Sequence, residues 1–289
     1  MNGVDKTKVA VSFDAAAAHY EQRAILQKTI AERLVERLEL VNVNPTNIID
    51  LGSVTGMAAR MLAQKYNHAR ILQLDISHQM LIQSRRLSPR FFSRHSFVCG
   101  DVEYLPVDSL TADLIFSSLT LQWCNDLDLA FVEAKRALRT NGLFIFATLG
   151  PDTLKELRES WAVVDDNIHV NSFFDMHDIG DALVRAGMEG VVMDVENIKL
   201  TYKDSLDLMR ELKILGAHNV NINRHKALTG KGKLERVIQE YEKYRENDTL
   251  PVNYEVVYGQ AWKPLSEASV NKNGQTSYIP ISSIKRTGK

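Results

Sequence analysis

Only two cysteines, Cys99 and Cys124, occur in the 289 residues. Neither stands in a CxxC pair or beside clustered histidines, which argues against a structural zinc site, and no metal is expected. Two scattered thiols in a chain of this length suit a reducing compartment where no disulfide is needed. Charge of one sign is lacking too. Lys plus Arg number 35 against 36 Asp plus Glu, a net charge of −1, which speaks against a strongly electrostatic nucleic-acid binder. Apolar runs are short: the stretch 142–148 cannot span a bilayer. The first ten residues are polar and charged with no apolar h-region, so no secretory signal is expected. No internal repeat is present. The expectation is a soluble, cytoplasmic protein, with no membrane or nucleic-acid partner. What the chain does have is 45% hydrophobic and 25% charged residues, an ordinary globular composition, and enough length for one large α/β domain or two small ones.

Residues 12–40 carry a helical pattern, with an alanine run and then Ile25, Leu26, Ile30, Leu34 and Leu38 at three- and four-residue spacings. From there apolar strands and amphipathic helices alternate. Short strands are expected at 48–49, 70–75, 97–99, 113–118 and 142–149. Helices are expected at 57–66, 78–87 (with Ser77 as N-cap) and 127–138. This alternation means βαβ units and a mostly parallel sheet, with ligands gathered at the carboxyl ends of its strands. Beyond Gly150 the alternation loosens into helices at 153–164 and 178–186, a strand at 191–202, a charged helical stretch at 204–244 and a last strand at 251–262. The expected divisions are a helical segment 1–43, a main domain 44–262 with a helical insert at about 204–245, and a disordered tail 263–289.

Three strand ends carry the chemistry. Asp50, Gly52, Val54 and Gly56 form a turn after the first strand, where glycines let the backbone bend tightly and approach a ligand. Its spacing departs from GxGxxG and GxxxxGK[ST], so neither a dinucleotide nor a nucleoside triphosphate is the first choice. Asp75 ends the second strand, about 20 residues beyond the glycine turn, where a carboxylate accepts from both hydroxyls of a ribose. Asp101 follows the third strand and is placed to accept from the exocyclic amine of an adenine, with Val102 or Ile76 packing on the ring. Any one of these reads equally well as an ordinary turn. Their coincidence at successive strand ends does not.

These motifs, with the turn 139–142 before the fifth strand, resemble those of class I S-adenosylmethionine (SAM) methyltransferases. The block 11–20 ending in His19 and Tyr20, the stretch from Leu119 to Trp123, the block 148–157 and the stretch 212–217 further resemble BioC, the malonyl-acyl-carrier-protein O-methyltransferases of biotin synthesis. The similarity runs from about Lys8 to Lys263. It implies a Rossmann-like α/β fold, a mostly parallel seven-stranded sheet with helices on both faces, an N-terminal helix closing over the cofactor and a helical lid. It implies SAM as cofactor, S-adenosylhomocysteine as product, and an acyl carrier protein or coenzyme A thioester as substrate. Gly52 and Gly56 would pass beneath the methionyl part; Asp50, Ser53, Met80 and Leu119 would border the pocket. Tyr20 and His19 would come from the closing helix, and Gln122 would lie beside the methyl donor. Trp123 reads as packing. His169 and Asn171 match a loop near the substrate mouth without an assigned role.

Methyl transfer to a malonyl carboxylate needs no general base, because a carboxyl of pKa about 4 is already ionised at neutral pH. Positioning and desolvation remain to be supplied. Lys213 and Arg224, facing His19 and Tyr20, are the candidates to orient the carboxylate. Two basic runs could receive an acidic carrier: Arg85, Arg86, Arg90 and Arg94, and Lys226, Lys231, Lys233 and Arg236. One departure from the family pattern stands out. Val54 occupies the middle of the turn where glycine is usual, so either the position has negative φ or cofactor binding is weakened. At the other turn, Asn141 replaces a glycine and tolerates the left-handed region. Two rival readings remain: a SAM-fold hydroxylase related to complex I assembly factors, which the stretch 150–263 also resembles, and a non-catalytic binding protein on the same fold.

Overall fold

The computed structural model describes residues 3–89, 93–217, 219–222, 224 and 230–265. Of the tail expected at 263–289, the part beyond 265 lies outside the described residues, as do Arg90 and Lys226 of the basic runs. Seven strands, β1 (Asn47–Leu51), β2 (Arg70–Asp75), β3 (His95–Cys99), β4 (Ala112–Ser118), β5 (Leu138–Leu149), β6 (Glu189–Tyr202) and β7 (Leu250–Trp262), form one sheet in the order β3-β2-β1-β4-β5-β7-β6. β1 to β5 are parallel, and β7 runs antiparallel between β5 and β6. The chain winds outward from β1 to β3 and then returns to β4 on the other side of β1. The order therefore reverses between β1 and β4, and the carboxyl ends open a crevice at that switch point.

The expected helices on both faces are there. Successive strand residues point to opposite sides. Ile48, Leu114, Phe116 and Ile145 pack on one face against Ile30 and Leu34 of α3 (Ile25–Arg37) and Leu62 of α4 (Met57–Lys65). Ile49, Ile115, Phe144 and Phe146 pack on the other against Phe131 and Ala134 of α6 (Leu127–Ala137) and Leu183 of α8 (Met176–Arg185). Burial on both faces explains why β1 and β4 are near-continuous apolar runs. Edge strand β6 instead alternates between exposed and half-buried residues. On α5 (His78–Leu87), Ser77 caps the amino end as expected, accepting from Met80 N at 3.2 Å.

Two expectations need correction. The helical pattern 12–40 is not one helix but α1 (Lys6–Ala16), α2 (Tyr20–Arg23) and α3, broken at His19 and again at Ala24, where ψ is 48°. The alanine run has high intrinsic helix propensity, yet the chain leaves the helix there and buries Tyr20. The insert at about 204–245 is not simply a lid. α9 (Ser205–Ile214) and α10 (Lys231–Glu242) bury Leu208, Val237 and Tyr241 in the main core, beside Trp161 of α7 (Lys155–Ala162). The end of α9 and the connection after it meet the N-terminal segment: Leu215 packs with Ala16, Ala17 and Tyr20, Asp5 N donates to Val220 O, and Ile222 N to Gly3 O, both at 3.0 Å. Among the described residues no helix is long and apolar enough to cross a membrane.

Candidate active site

A pocket at the carboxyl ends of β1, β2 and β4 is closed by α1, α2 and α3. Tyr20, Asp50, Gly52, Ser53, Asp75, Ile76, Asp101, Val102 and Leu119, all singled out from sequence, line it together. His19, Gly56, Met80, Gln122 and Lys213 are not among its lining. His19 is exposed at the break between α1 and α2, and Lys213 is exposed in the last turn of α9. Met80 is buried beneath the N-terminal helices. Gln122 turns inward, its Nε2 donating to Leu119 O at 2.7 Å and its Oε1 accepting from Thr148 Oγ1 at 3.1 Å, so it braces the β4 turn. Its neighbour Trp123 lines the pocket, edge-on to Phe13 at 5.5 Å between ring centroids.

The glycine turn is built for the protein's own atoms. Gly52 and Ser53 donate backbone N–H bonds to Leu74 O at 2.8 and 3.0 Å, tying β1 to β2. Gly52 has φ +68°, and a Cβ there would stand 1.9 Å from Thr120 Oγ1. A Cβ on Gly56, at φ +76°, would stand 2.1 Å from Ser84 Oγ. Glycine is thus required by close side chains as well as by backbone geometry. Val54 has φ +49°, so the negative-φ alternative is excluded. Left-handed backbone costs a residue with a Cβ about 1–2 kcal/mol. Two contacts offset it: Val54 N donates to Asp75 Oδ2 at 2.8 Å, and the side chain packs against the cluster of Ala16, Ala17, Tyr20 and Met80. At the other turn Asn141 does take positive φ, +59°.

Electrostatics set the pocket's character. Asp75 is buried and also accepts from Ser77 N at 2.7 Å. Burial pushes its pKa up to about 6, against the lowering effect of the two backbone N–H groups. Burial and the nearby Asp75 push Asp50 up to about 7. Burial, then Asp75, also raises the Tyr20 phenol, so it stays protonated at neutral pH. Asp50 Oδ2, Ser53 Oγ and Gln27 Oε1 are buried polar atoms without a hydrogen-bond partner among the described residues, and all three residues line the pocket. At the other end, Lys6 Nζ of α1 lies 2.8 Å from Asp101 Oδ1 and 2.7 Å from Glu103 Oε2. Lys6, Gln27, Thr120 and the pocket-facing Trp123 were missed by sequence reasoning. A lysine in a polar stretch and a glutamine on an amphipathic helix carry no local mark.

The remaining candidates lie elsewhere. Arg224 donates from Nη1 to Asn221 O at 3.1 Å. Lys231 and Lys233 pair with Glu235 and Asp165 at 3.7 and 2.7 Å, which partly neutralises the second basic run. Arg85 and Arg86 end α5, and Arg94 donates to Asn67 O at 2.7 Å. His169 and Asn171 line a second cleft beyond β5.

The sequence matches the Methyltransferase domain family over residues 49–146. Among solved structures, the YcgJ protein from Bacillus subtilis superposes with a TM-score of 0.58 at 12% identity, over 81% of this chain and 99% of that one. The [4+2]-cyclase SpnF superposes at 0.54 with 18% identity, over 83% and 81%. Likeness at this level shows the fold alone, and a cyclase on it illustrates that the fold does not fix the reaction. Sequence relatives are more specific. The malonyl-[acyl-carrier protein] O-methyltransferase of Methylovorus sp. (strain MP688) is 46% identical over 272 residues, 92% of each chain. That of Gallionella capsiferriformans (strain ES-2) is 45% identical over 276 residues, 94% of each. With this identity along nearly the whole chain, and the pocket residues at the sheet's switch point, the protein belongs to the malonyl-[acyl-carrier protein] O-methyltransferase family.

Proposed function

We propose that this protein transfers a methyl group from SAM to the free carboxylate of a malonyl thioester, carried by an acyl carrier protein, in biotin synthesis. One observation supports it above the rest: among the described residues three buried oxygens on pocket-lining side chains, Asp50 Oδ2, Ser53 Oγ and Gln27 Oε1, lack a hydrogen-bond partner, and a second buried carboxylate, Asp75, lines the same pocket. Acceptors without donors fit a ligand carrying an ammonium group, and buried carboxylates favour a cation. The amino acid end of SAM supplies both features. Asp75 accepts one backbone N–H on each oxygen, which leaves lone pairs for a ribose hydroxyl pair. Ile76 and Val102 supply apolar surface for the base, beside Asp101.

When bound, SAM supplies an electrophilic methyl group on its sulfonium. The chain supplies position and dryness. Phe13, Tyr20 and Trp123 wall off water, and the protonated Tyr20 hydroxyl can donate to an anionic acceptor. Gln122 fixes Leu119, which lines the pocket. No side chain need remove a proton. A reducing cytoplasm suits the two unbonded thiols, Cys99 and Cys124.

Calorimetric titration with SAM, followed by incubation with malonyl-carrier protein or malonyl-coenzyme A and detection of the methyl ester by mass, tests the reading. Ester from the carrier-linked substrate at lower KM is expected. Heat without ester would favour a different reaction on this fold, and no heat would favour a binding protein.

A further inference from the structure

Beyond β5, a second cleft is lined by Pro151, Trp161, His169, Asn171 and Phe173 among others. Pro151 stands two residues past Leu149, the carboxyl end of β5, which places this part of the cleft on the same rim of the sheet as the first pocket. Both border the same core cluster. Leu119 lines the first pocket and packs against the core cluster that contains Trp161 and, at its edge, Val170 of the cleft.

This cleft is built. The Trp161 and His169 rings stack with centroids 3.6 Å apart and planes 10° from parallel. Asp165 pins the imidazole, Oδ1 lying 2.7 Å from His169 Nε2, and is itself held by Lys233 at 2.7 Å. Asn219 Nδ2 donates to Ile168 O, tying the loop to the segment whose Val220 O receives Asp5 N. Inside this braced loop Asn171 is buried, and its Oδ1 has no hydrogen-bond partner among the described residues. A buried, unsatisfied acceptor on a cleft-lining residue asks for a donor from the ligand. A malonyl carboxylate offers none. A chain with secondary amides offers an N–H to Asn171 and an apolar body to Trp161 and Phe173.

We propose that the second cleft holds the amide-bearing pantetheine arm on which a malonyl thioester is presented, with Asn171 accepting from an arm amide and Trp161 carrying its apolar face. This rests on the methyl-transfer reading for its substrate, and on the cleft for its site. The arm is common to acyl carrier protein and coenzyme A.

The test compares Asn171→Ala and Asn171→Asp with wild type on malonyl-carrier protein, malonyl-coenzyme A and the S-ethyl malonyl thioester, which has no arm. Asn171→Ala is expected to raise KM about tenfold, one hydrogen bond's worth, for both arm-bearing substrates. It leaves KM for the ethyl thioester and the Kd for SAM unchanged, and Asn171→Asp, which keeps an acceptor, restores most of the loss. An equal loss on the ethyl thioester, or a rise for the carrier substrate alone, overturns the proposal. Should no thioester be methylated, the methyl-transfer reading fails separately. Calorimetry with free pantetheine then still decides the arm site: wild-type heat that Asn171→Ala abolishes supports it, and no wild-type heat overturns it. If Asn171→Ala does not fold, wild type alone decides by the same titration and by whether the arm lowers its KM.

Discussion

Gly52 is held in place by Thr120, whose Oγ1 donates to Leu51 O at 2.9 Å and occupies the space a Cβ would need. Gly52→Ala therefore meets a clash and a positive φ together, and is expected to destabilise the fold by about 1–3 kcal/mol and to weaken SAM binding. In a Thr120→Ala background the two nearest atoms are gone, but the residue 120 Cβ stays 2.7 Å from the new one, so the clash is eased and not abolished, and the backbone cost of about 1–2 kcal/mol remains. A double-mutant cycle by urea unfolding should show partial rescue; strict additivity would sink the account. Asp50 and Asp75 yield a pH prediction. Their folded pKa values, about 7 and about 6, lie above the unfolded carboxyl value of about 4. The folded state thus binds the extra protons, and these two groups make the protein less stable as pH rises through that interval. A bound cation favours the ionised forms, so SAM should bind more tightly with rising pH and release protons at pH near 6. Calorimetry in two buffers of different ionisation enthalpy measures that release; proton uptake would contradict the assignment. At this scale the sequence showed the acids, because strand ends mark them. It did not show that Gly56 packs on Ser84 or that Gln122 and Trp123 exchange roles, because a short 3-10 turn at Leu121–Trp123 decides which side chain faces the pocket.

Helix α1 is fastened to the sheet by a few polar contacts. Lys6 reaches Asp101 and Glu103, and Asp14 Oδ1 accepts from Ser77 Oγ at 2.6 Å and from Gln79 N at 2.9 Å, so the helix bridges the ends of β2 and β3. Lys6→Met keeps the apolar stem and removes the ion pairs. Because these are partly exposed, a modest effect is expected: about 1 kcal/mol, read as roughly fivefold weaker SAM binding, with faster proteolysis near the N-terminus. Unchanged affinity would show that α1 closes the pocket without this contact. Strands and core helices were legible because their hydrophobic periods of two and 3.6 residues are imposed by burial on the elements themselves. The breaks at His19 and Ala24 were not, since they answer to the burial of Tyr20 in a pocket whose strand-end side, from Asp50 onward, lies thirty and more positions away. The same holds for α9 and α10, a charged stretch for which the family resemblance implied a lid, while Leu208 and Tyr241 anchor them in the core.

Taken as a whole, the molecule separates what makes it fold from what makes it bind. The two large clusters, one on each face of the sheet, draw on α3, α4, α6 to α10 and the strands; α1 and α2 contribute instead to two small clusters through Val9, Ala16, Ala17 and Tyr20. The sheet's stability should therefore outlast loss of the N-terminal segment, while the pocket should not, because Lys6, Val9, Phe13 and Tyr20 form one wall of it. Removal of residues 1–21, which spares α3 and its Gln27, is expected to leave a cooperative unfolding transition and native circular dichroism. Affinity for SAM should be lost, together with the ligand's thermal stabilisation; at a hundred times Kd that stabilisation amounts to about 2.7 kcal/mol in the intact protein. The newly exposed Met80, Leu215 and Val220 would lower solubility without unfolding the sheet. If the truncated chain instead lost its transition altogether, the N-terminal helices would belong to the core. If it bound SAM as the full chain does, closure by α1 and α2 would have no part in holding the ligand.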